Sequence, residues 1–229
     1  MSQKYFKVSS HIKSILGKEL INNDFVAILE LVKNSIDAAA SKVEVIFDLE
    51  DATPAIWVVD DGKGMSESEV LEKWAFLGYS AKREGGEDDY ERKYAGNKGI
   101  GRLSCDRLGA QVDVYAKTTL DSSYAHAAVN WSLFEANSKE LFQKVPFELE
   151  MISQYDLPAC SKLSKANSGV ALRIHDLRDL ESWNRKKLID LRRVLSKLVS
   201  PFTFDQDSSE IFILSQRDQK DDVKLKEDK

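Results

Sequence analysis

Length, composition and charge exclude several classes of protein before any motif is considered. The chain has 229 residues, of which 42% are hydrophobic, so it can bury a full core, and nothing in the composition indicates general disorder. The net charge of −5 excludes a domain that is basic overall, although it leaves open nucleic-acid contact through a local patch.

The two cysteines and the N-terminal sequence exclude further classes of protein. Cys105 and Cys160 form neither a metal-binding spacing nor a disulfide framework, and Cys105 is predicted to be a small core residue of a helix. The N-terminus has no apolar signal core, and no apolar run approaches the length of a membrane span. These features predict a cytoplasmic location.

The first predicted element is a helix with apolar residues at Ile12, Ile15, Leu16 and Leu20, which follow helical spacing. His11, at its start, is interpreted as a capping or surface residue rather than a catalytic one.

A longer amphipathic helix is predicted within residues 22–41, where apolar residues recur at three- and four-residue steps. Asp24 is its predicted N-cap. Glu30, Asn34, Asp37 and Ala38 lie four, three and one residues apart and form a strip along roughly one flank. Charged residues on a helix most often only face solvent. The strip therefore indicates a functional site only in combination with the motifs that follow it.

Two strands are predicted after this helix. Residues 43–49 alternate apolar and polar side chains, as a half-buried strand does, and residues 55–59 indicate a more buried strand. The second strand runs directly into a turn at Asp60. Pairing of the two strands as a hairpin would place Asp60 beside the long helix.

A second helix-start signal follows that turn. Ser66 is predicted to cap a helix that carries Val70, Leu71, Trp74 and Leu77. The polar, glycine-containing residues 83–94 lack periodicity, which predicts a mobile loop.

The sequence pattern in the second half of the chain predicts mainly strands. A glycine-rich run opens a helix that ends at Gly109. Antiparallel strands are then expected at residues 112–115, 124–131 and 147–152. Another strand is expected at residues 170–174, and a last one at 210–214. Residues 183–199 predict an amphipathic helix with six basic residues, which Pro201 stops.

Two glycine-rich motifs follow the strip of the long helix. Residues 60–65 read D-D-G-K-G-M, and residues 96–102 read G-N-K-G-I-G-R. The second motif is not a Walker A sequence, because G-x-x-x-x-G-K-[ST] is absent. It is not a Rossmann fingerprint either, because its spacing is G-x-x-G-x-G and no strand directly precedes it.

Together with E-x-x-x-N-x-x-D-A in the helix, these motifs resemble, in order, the signature boxes of the GHKL (Bergerat-fold) ATPases. That family includes gyrase B, MutL, MORC proteins, histidine kinases and the ninety-kilodalton heat-shock chaperone. The resemblance implies an α+β fold, a two-layer α/β sandwich with helices on one face of a mixed, mostly antiparallel sheet. It implies one ATP-binding domain over residues 1–216 with a lid at about 78–101. Residues 217–229 would be a charged tail or the start of a linker to a further C-terminal region.

The resemblance also implies roles for residues of the helix and the first motif. Glu30 would be the general base, and Asn34 would be the main protein ligand of Mg²⁺. Ala38 would lie against adenine, and Asp60 would accept a hydrogen bond from its amino group. Asp37 is interpreted either as a local hydrogen-bonding residue or as a nucleotide contact.

The glycines would hold the rest of the nucleotide. Gly62 and Gly64 would let the backbone approach the purine, and Met65 would line an apolar wall. The backbone amides of the second motif would cradle the phosphates, with Lys98 adding charge. The residues of that loop are Gly96, Asn97, Lys98, Gly99, Ile100 and Gly101. Ser80 and Lys82 match a Ser/Thr-x-Lys segment of MutL-like members and would touch the phosphates.

One position departs from the family pattern. Gly169-Val170 stands where the family usually has Gly-Thr, so the threonine hydroxyl that assists the adenine-binding aspartate through water is missing. Ser168 is the candidate substitute, and weaker nucleotide affinity is the expected consequence.

The predicted function follows from these assignments. Histidine kinases usually place Asn where Glu30 stands, so Glu30 favours the hydrolysing MutL, MORC and heat-shock-chaperone branch, and the pattern is most similar to bacterial relatives of MORC. The prediction is an N-terminal ATPase domain of a larger protein, slow in isolation, in which ATP and Mg²⁺ drive lid closure and dimerisation. Partners would be ATP or ADP, a second copy, and DNA or a protein client through further domains, with no membrane. The alternative is a non-hydrolysing nucleotide sensor or interaction module with the same fold.

Overall fold

The computed structural model describes residues 7–15, 21, 23–75, 101–137, 139–163, 167–198, 209–215 and 223–224. The α-helices are α1 (Ile12–Ser14), α2 (Asp24–Asp37), α3 (Glu67–Glu69), α4 (Ser104–Leu108), α5 (Leu133–Ala136) and α6 (Arg185–Leu195). The strands are β1 (Lys42–Asp48), β2 (Ala55–Asp60), β3 (Gly109–Lys117), β4 (Tyr124–Asn130), β5 (Glu148–Ile152), β6 (Gly169–Leu177), β7 (Glu210–Ser215) and β8 (Val223–Lys224).

The strands form one mixed sheet in the order β5-β4-β3-β6-β2-β1-β7-β8. Every neighbouring pair is antiparallel except β1 and β7, which run parallel. The predicted hairpin of β1 and β2 is present, with Val43 opposite Asp60. Two residues of the segment 217–229 pair with β7 as β8.

The helices pack on one face of this sheet, which confirms the predicted fold class. Val43, Val45 and Phe47 of β1 are fully buried on that face, in one cluster with Leu31 of α2 and Leu191 of α6. Intervening residues of β1 and β2 point to the opposite face, where a smaller apolar cluster lies under the segment 155–163. Cys105 is buried in the larger cluster, as predicted.

The start of α2 differs from the prediction. Asn23, not Asp24, is the N-cap, because its extended backbone lets its side chain accept a hydrogen bond from Phe25 N at 2.7 Å. Asp24 is the first helical residue, and its carboxylate instead accepts hydrogen bonds from Arg107 Nε at 2.8 Å and Lys187 Nζ at 2.6 Å. Burial raises the pKa of Asp24, but these two cations outweigh it and lower the pKa.

The helix predicted after Ser66 also takes a different form. Ser66 caps it as predicted, in a capping box with Glu69, but the α-helix covers only Glu67–Glu69. A π-helix, Val70–Trp74, follows it, and Ala75 N donates to Val70 O. Of the apolar residues predicted for this helix, Val70 is buried whereas Leu71 is 47% exposed.

The helix predicted over 183–199 begins later than expected. Asn184 caps α6 by accepting a hydrogen bond from Lys187 N at 3.1 Å, so Trp183 lies before the helix. Trp183 is buried instead against Phe47 of β1, with ring centroids 5.0 Å apart. Within the described ranges, no helix has both the length and the apolar character needed to cross a membrane.

Candidate nucleotide-binding site

Asp60, the last residue of β2, forms the centre of the candidate site. Its side chain is buried and accepts three hydrogen bonds: from Ser35 Oγ at 2.8 Å, Gly62 N at 2.9 Å and Val170 N at 3.3 Å. Burial raises the pKa of this carboxyl, even though all three hydrogen bonds favour the ionised form. Two carboxylate oxygens offer about four acceptor positions, so Asp60 retains capacity for a further donor.

The end of α2 contacts the turn that follows Asp60. The carbonyl oxygen of Ala38 accepts a hydrogen bond from Lys63 N at 2.9 Å. A Cβ on Gly62 would lie 2.8 Å from that same oxygen and 3.2 Å from Ala38 Cβ. Gly62 is therefore needed for the close approach of helix and turn, and the predicted neighbours Ala38, Asp60 and Gly62 are brought together.

Two further glycines are needed where strands and turn meet. Gly64 has φ +69°, and a Cβ on it would lie 1.8 Å from Lys117 O. Gly169 has φ +136°, and a Cβ on it would lie 2.0 Å from Asp60 O. Both backbones are in the left-handed region, which only glycine adopts without strain. Met65, next in the chain, is half-buried and packs against the main core.

Val170, at the position of the missing threonine, contacts Asp60 through its backbone. Val170 reaches Asp60 with its backbone amide, so this hydrogen bond needs no side-chain hydroxyl. The Ser168 hydroxyl, predicted as a candidate substitute, donates instead to Gly62 O at 2.8 Å. Ser168 therefore fastens the start of β6 to the turn rather than contacting Asp60.

The polar strip of α2 continues outward from this centre. Asn34 is exposed, and its amide lies against Gly101, where a Cβ would be 2.9 Å from Asn34 Nδ2. One turn earlier, Glu30 is about one-third exposed and accepts a hydrogen bond from Lys33 Nζ at 3.0 Å. The strip therefore runs from the buried Asp60 end to a more open end at Glu30.

A buried ion cluster holds α4, the helix that begins shortly after Gly101 of the glycine motif. Gly101–Leu103 forms a 3₁₀ turn that leads into α4, whose residue Asp106 is fully buried. Lys13 Nζ lies 2.9 Å from Asp106 Oδ1, and Arg178 Nη2 donates to the same oxygen. This buried ion cluster anchors the helix that follows Gly101.

The described residues contain only part of the predicted site. Seven predicted residues lie outside them: Ser80, Lys82, Gly96, Asn97, Lys98, Gly99 and Ile100. Ser35, which holds Asp60, was not predicted. The available signal was a small polar residue within an apolar helix, next to the strip residue Asn34.

Asp61 has a structural role in the same turn. Its carboxylate accepts hydrogen bonds from Ser41 N and Lys42 N, both at 2.7 Å, and from Ser41 Oγ. Asp61 thereby fixes the start of β1 through contacts with the Ser41 hydroxyl and two backbone amides.

The comparison with protein families assigns this fold to an ATP-binding domain of the ATPase class. The family model described as "Histidine kinase-, DNA gyrase B-, and HSP90-like ATPase" matches residues 22–169, which is more than half of the chain. The chain belongs to this family. No curated protein matches it.

Proposed function

We propose that the domain hydrolyses ATP with Mg²⁺, as a member of the MutL, MORC and heat-shock-chaperone branch. The single observation that carries the proposal is the buried carboxylate of Asp60, held by Ser35, Gly62 and Val170 at the inner end of the Glu30–Asn34–Ala38 strip. The hydrogen-bonding centre at the end of β2 thus lies against the helix that carries Glu30, a carboxylate that is partly open to water.

The adenine end would be built around Asp60. Its remaining acceptor capacity suits the exocyclic amino group of adenine, and Ala38 is small enough to leave space for the ring. Gly62, Gly64 and Met65 would form the wall of the base pocket. Val170 contributes through its amide, which fixes the orientation of the Asp60 carboxylate.

The phosphate end would lie toward Asn34. Gly101 lies against the Asn34 amide, so the glycine motif and the predicted metal ligand are neighbours. The Asn34 carbonyl oxygen is a hard, neutral ligand of the type that Mg²⁺ accepts, with phosphate and water oxygens completing its coordination. Bound Mg²⁺ would neutralise charge on the triphosphate. Six further residues would contact the phosphates: Ser80, Lys82, Gly96, Lys98, Gly99 and Gly101.

Glu30 would act as the general base. Its carboxylate is partly exposed, so a water molecule can reach it, and Lys33 at 3.0 Å holds one oxygen in place. Glu30 would orient the attacking water and take its proton. The neutral Asn34, one turn away, adds no competing negative charge.

The conformational output would come from residues 78–101. Closure of this lid over the phosphates, coupled to dimerisation, would change the shape of a larger protein whose further domains bind DNA or a protein client. The alternative function is a non-hydrolysing sensor, and the missing threonine hydroxyl at Val170 is the observation that favours it.

Two variants separate these functions. Asp60→Asn should abolish saturable, Mg²⁺-enhanced ATP binding in calorimetric titration, whereas Glu30→Ala should retain binding and lose turnover. Glu67→Ala, an exposed acid on α3, is the matched control and should change neither property. Turnover unchanged by Glu30→Ala would overturn the hydrolytic role, and ATP binding unchanged by Asp60→Asn would overturn the site itself.

A further inference from the structure

The exposed side of α6 carries a strongly basic surface, away from the Asp60 site. The surface is defined by its exposed cations Arg185, Lys186, Arg192, Arg193 and Lys197. The opposite side of the helix is apolar and packs into the core through Leu191 and Leu195, which are both 0% exposed. In a chain with a net charge of −5, this concentration of positive charge is local.

The cations follow the helix axis rather than clustering at one end. Lys186, Arg193 and Lys197 are separated by seven and four residues, so they lie on one side of the helix, about two turns and then one turn apart. With Ser196–Leu198 continuing α6, the basic surface extends for about 20 Å. A linear array of this kind matches a linear array of anions.

Acidic residues leave most of this charge uncompensated. Asp190 accepts a hydrogen bond from Arg193 Nη1 at 2.8 Å and is the one carboxylate within α6. Among the described residues, no carboxylate forms an ion pair with Lys186, Arg192 or Lys197. Positive charge therefore remains available for a partner.

A pocket of about 400 Å³ continues the basic surface beyond the start of α6. Lys186 lines it together with Lys187 and Arg107, so the pocket and the basic surface share a cation. Asp24 pairs with both Lys187 and Arg107, and Asp190 also lines the pocket, so three cations exceed two carboxylates by one charge. The pocket therefore keeps a small positive charge at one end of the array.

We propose that the α6 basic surface and this pocket bind the phosphate backbone of a nucleic acid. This function goes beyond ATP binding and uses none of the nucleotide-site residues. Arginine and lysine neutralise successive phosphates and release their counterions, which supplies sequence-independent affinity. Arg192 adds the planar fork that suits phosphate oxygens. The acidic remainder of the chain would repel the backbone elsewhere and so orient the complex.

Other partners fit this surface less well. A membrane-surface helix needs a free apolar side, and here that side is buried in the core. A protein interface usually has an apolar or aromatic centre, but Ile189, at 42% exposure, is the one large apolar residue exposed on α6. The surface is therefore suited to a polyanion without apolar groups.

The test is fluorescence anisotropy of the full chain with a labelled DNA duplex of mixed sequence, titrated across salt concentrations. Neutralisation of about three phosphates, one each by Lys186, Arg192 and Lys197, gives an expected slope of log affinity against log salt of about −2.7. Lys186→Glu with Arg192→Glu should lower the affinity at least about tenfold at low salt and make the slope shallower by about two.

A matched pair of substitutions controls for net charge. Lys139→Glu with Lys144→Glu changes the charge equally at exposed positions between α5 and β5, and it should lower the affinity by far less. Equal losses in the two pairs, or no duplex binding by the unsubstituted chain at low salt, would overturn the proposal. Binding of a polyglutamate peptide without binding of the duplex would also overturn it and would point to an acidic protein partner. Calorimetric titration of ATP tests the nucleotide site separately in the same variants.

Discussion

The amine of Lys13 lies 2.9 Å from Asp106 Oδ1, and both side chains are completely shielded from solvent. Lys13 also donates to Glu135 Oε1 at 2.6 Å, and Arg178 shares Asp106. Asp106 lies in α4, the helix that follows Gly101 of the glycine motif. The N-terminal segment is thus tied by a buried charge to the element that supports the phosphate end of the candidate site.

Loss of the Lys13 amine should be costly. Lys13→Ala is expected to lower the free energy of unfolding by about 3 kcal/mol, because it removes one partner of a buried pair while Arg178 still compensates Asp106 in part. Lys73→Ala is the control, since the Lys73 side chain is 51% exposed and pairs with Glu69 at the surface. The control should cost under about 1 kcal/mol in urea unfolding. Equal losses would contradict the importance of the buried pair.

Gly169 joins β6 to the Asp60 turn at a position that tolerates no side chain. With φ +136° and a Cβ 2.0 Å from Asp60 O, Gly169→Ala must displace one of the two backbones. The expected loss of stability is about 3 kcal/mol or more, with loss of ATP binding because Asp60 moves. Ser168→Ala, which removes one hydrogen bond to Gly62, should cost only about 1 kcal/mol. Thermal unfolding and ATP titration of both variants check this order.

The strands and the Asp60 turn were predictable because their signals are local. Alternation along residues 43–49 and the run into Asp60 both depend on neighbours in sequence, and β1 and β2 follow them. The parallel pairing of β1 with β7 was not predictable, because it joins segments that no local pattern relates. The Asn23 cap was missed for a related reason: Asp24 has the right side chain for a cap, but Arg107 and Lys187 from distant helices occupy it.

The face of the sheet away from the helices should show an acid-dependent stability. The carboxylate oxygens of Asp113 lie 3.1 Å from His126 Nε2, 3.2 Å from His175 Nε2 and 3.3 Å from Arg173 Nη1. Burial raises the pKa of Asp113, but hydrogen bonds from His175 and His126 outweigh it and lower the pKa. A lowered pKa in the folded state stabilises the protein above the ordinary aspartate pKa of about 3.9, and this contribution disappears as the pH falls through the folded-state pKa.

Asp113→Asn should therefore be less stable than the unsubstituted chain near neutral pH, and the difference should shrink as the pH falls below about 4. Urea unfolding across this range measures it, with the exposed Asp156→Asn as the control. A difference that stays constant with pH would show that Asp113 acts through its shape and hydrogen bonds rather than its charge.

Asp60 should show the opposite dependence on pH. Burial raises its folded-state pKa above the unfolded value, so the folded protein binds a proton more tightly than the unfolded chain does. Below about pH 4 Asp60 is protonated in both the folded and the unfolded chain, so its burial costs no ionisation free energy. Above that pH the unfolded chain ionises first, and the loss of folding free energy grows until the pH passes the folded-state pKa. The stability of the unsubstituted chain relative to Asp60→Asn should therefore fall as the pH rises, whereas the stability relative to Asp113→Asn should rise. Urea unfolding of the three proteins in one buffer series compares them directly, and a parallel trend for both substitutions would contradict the assigned burial of Asp60.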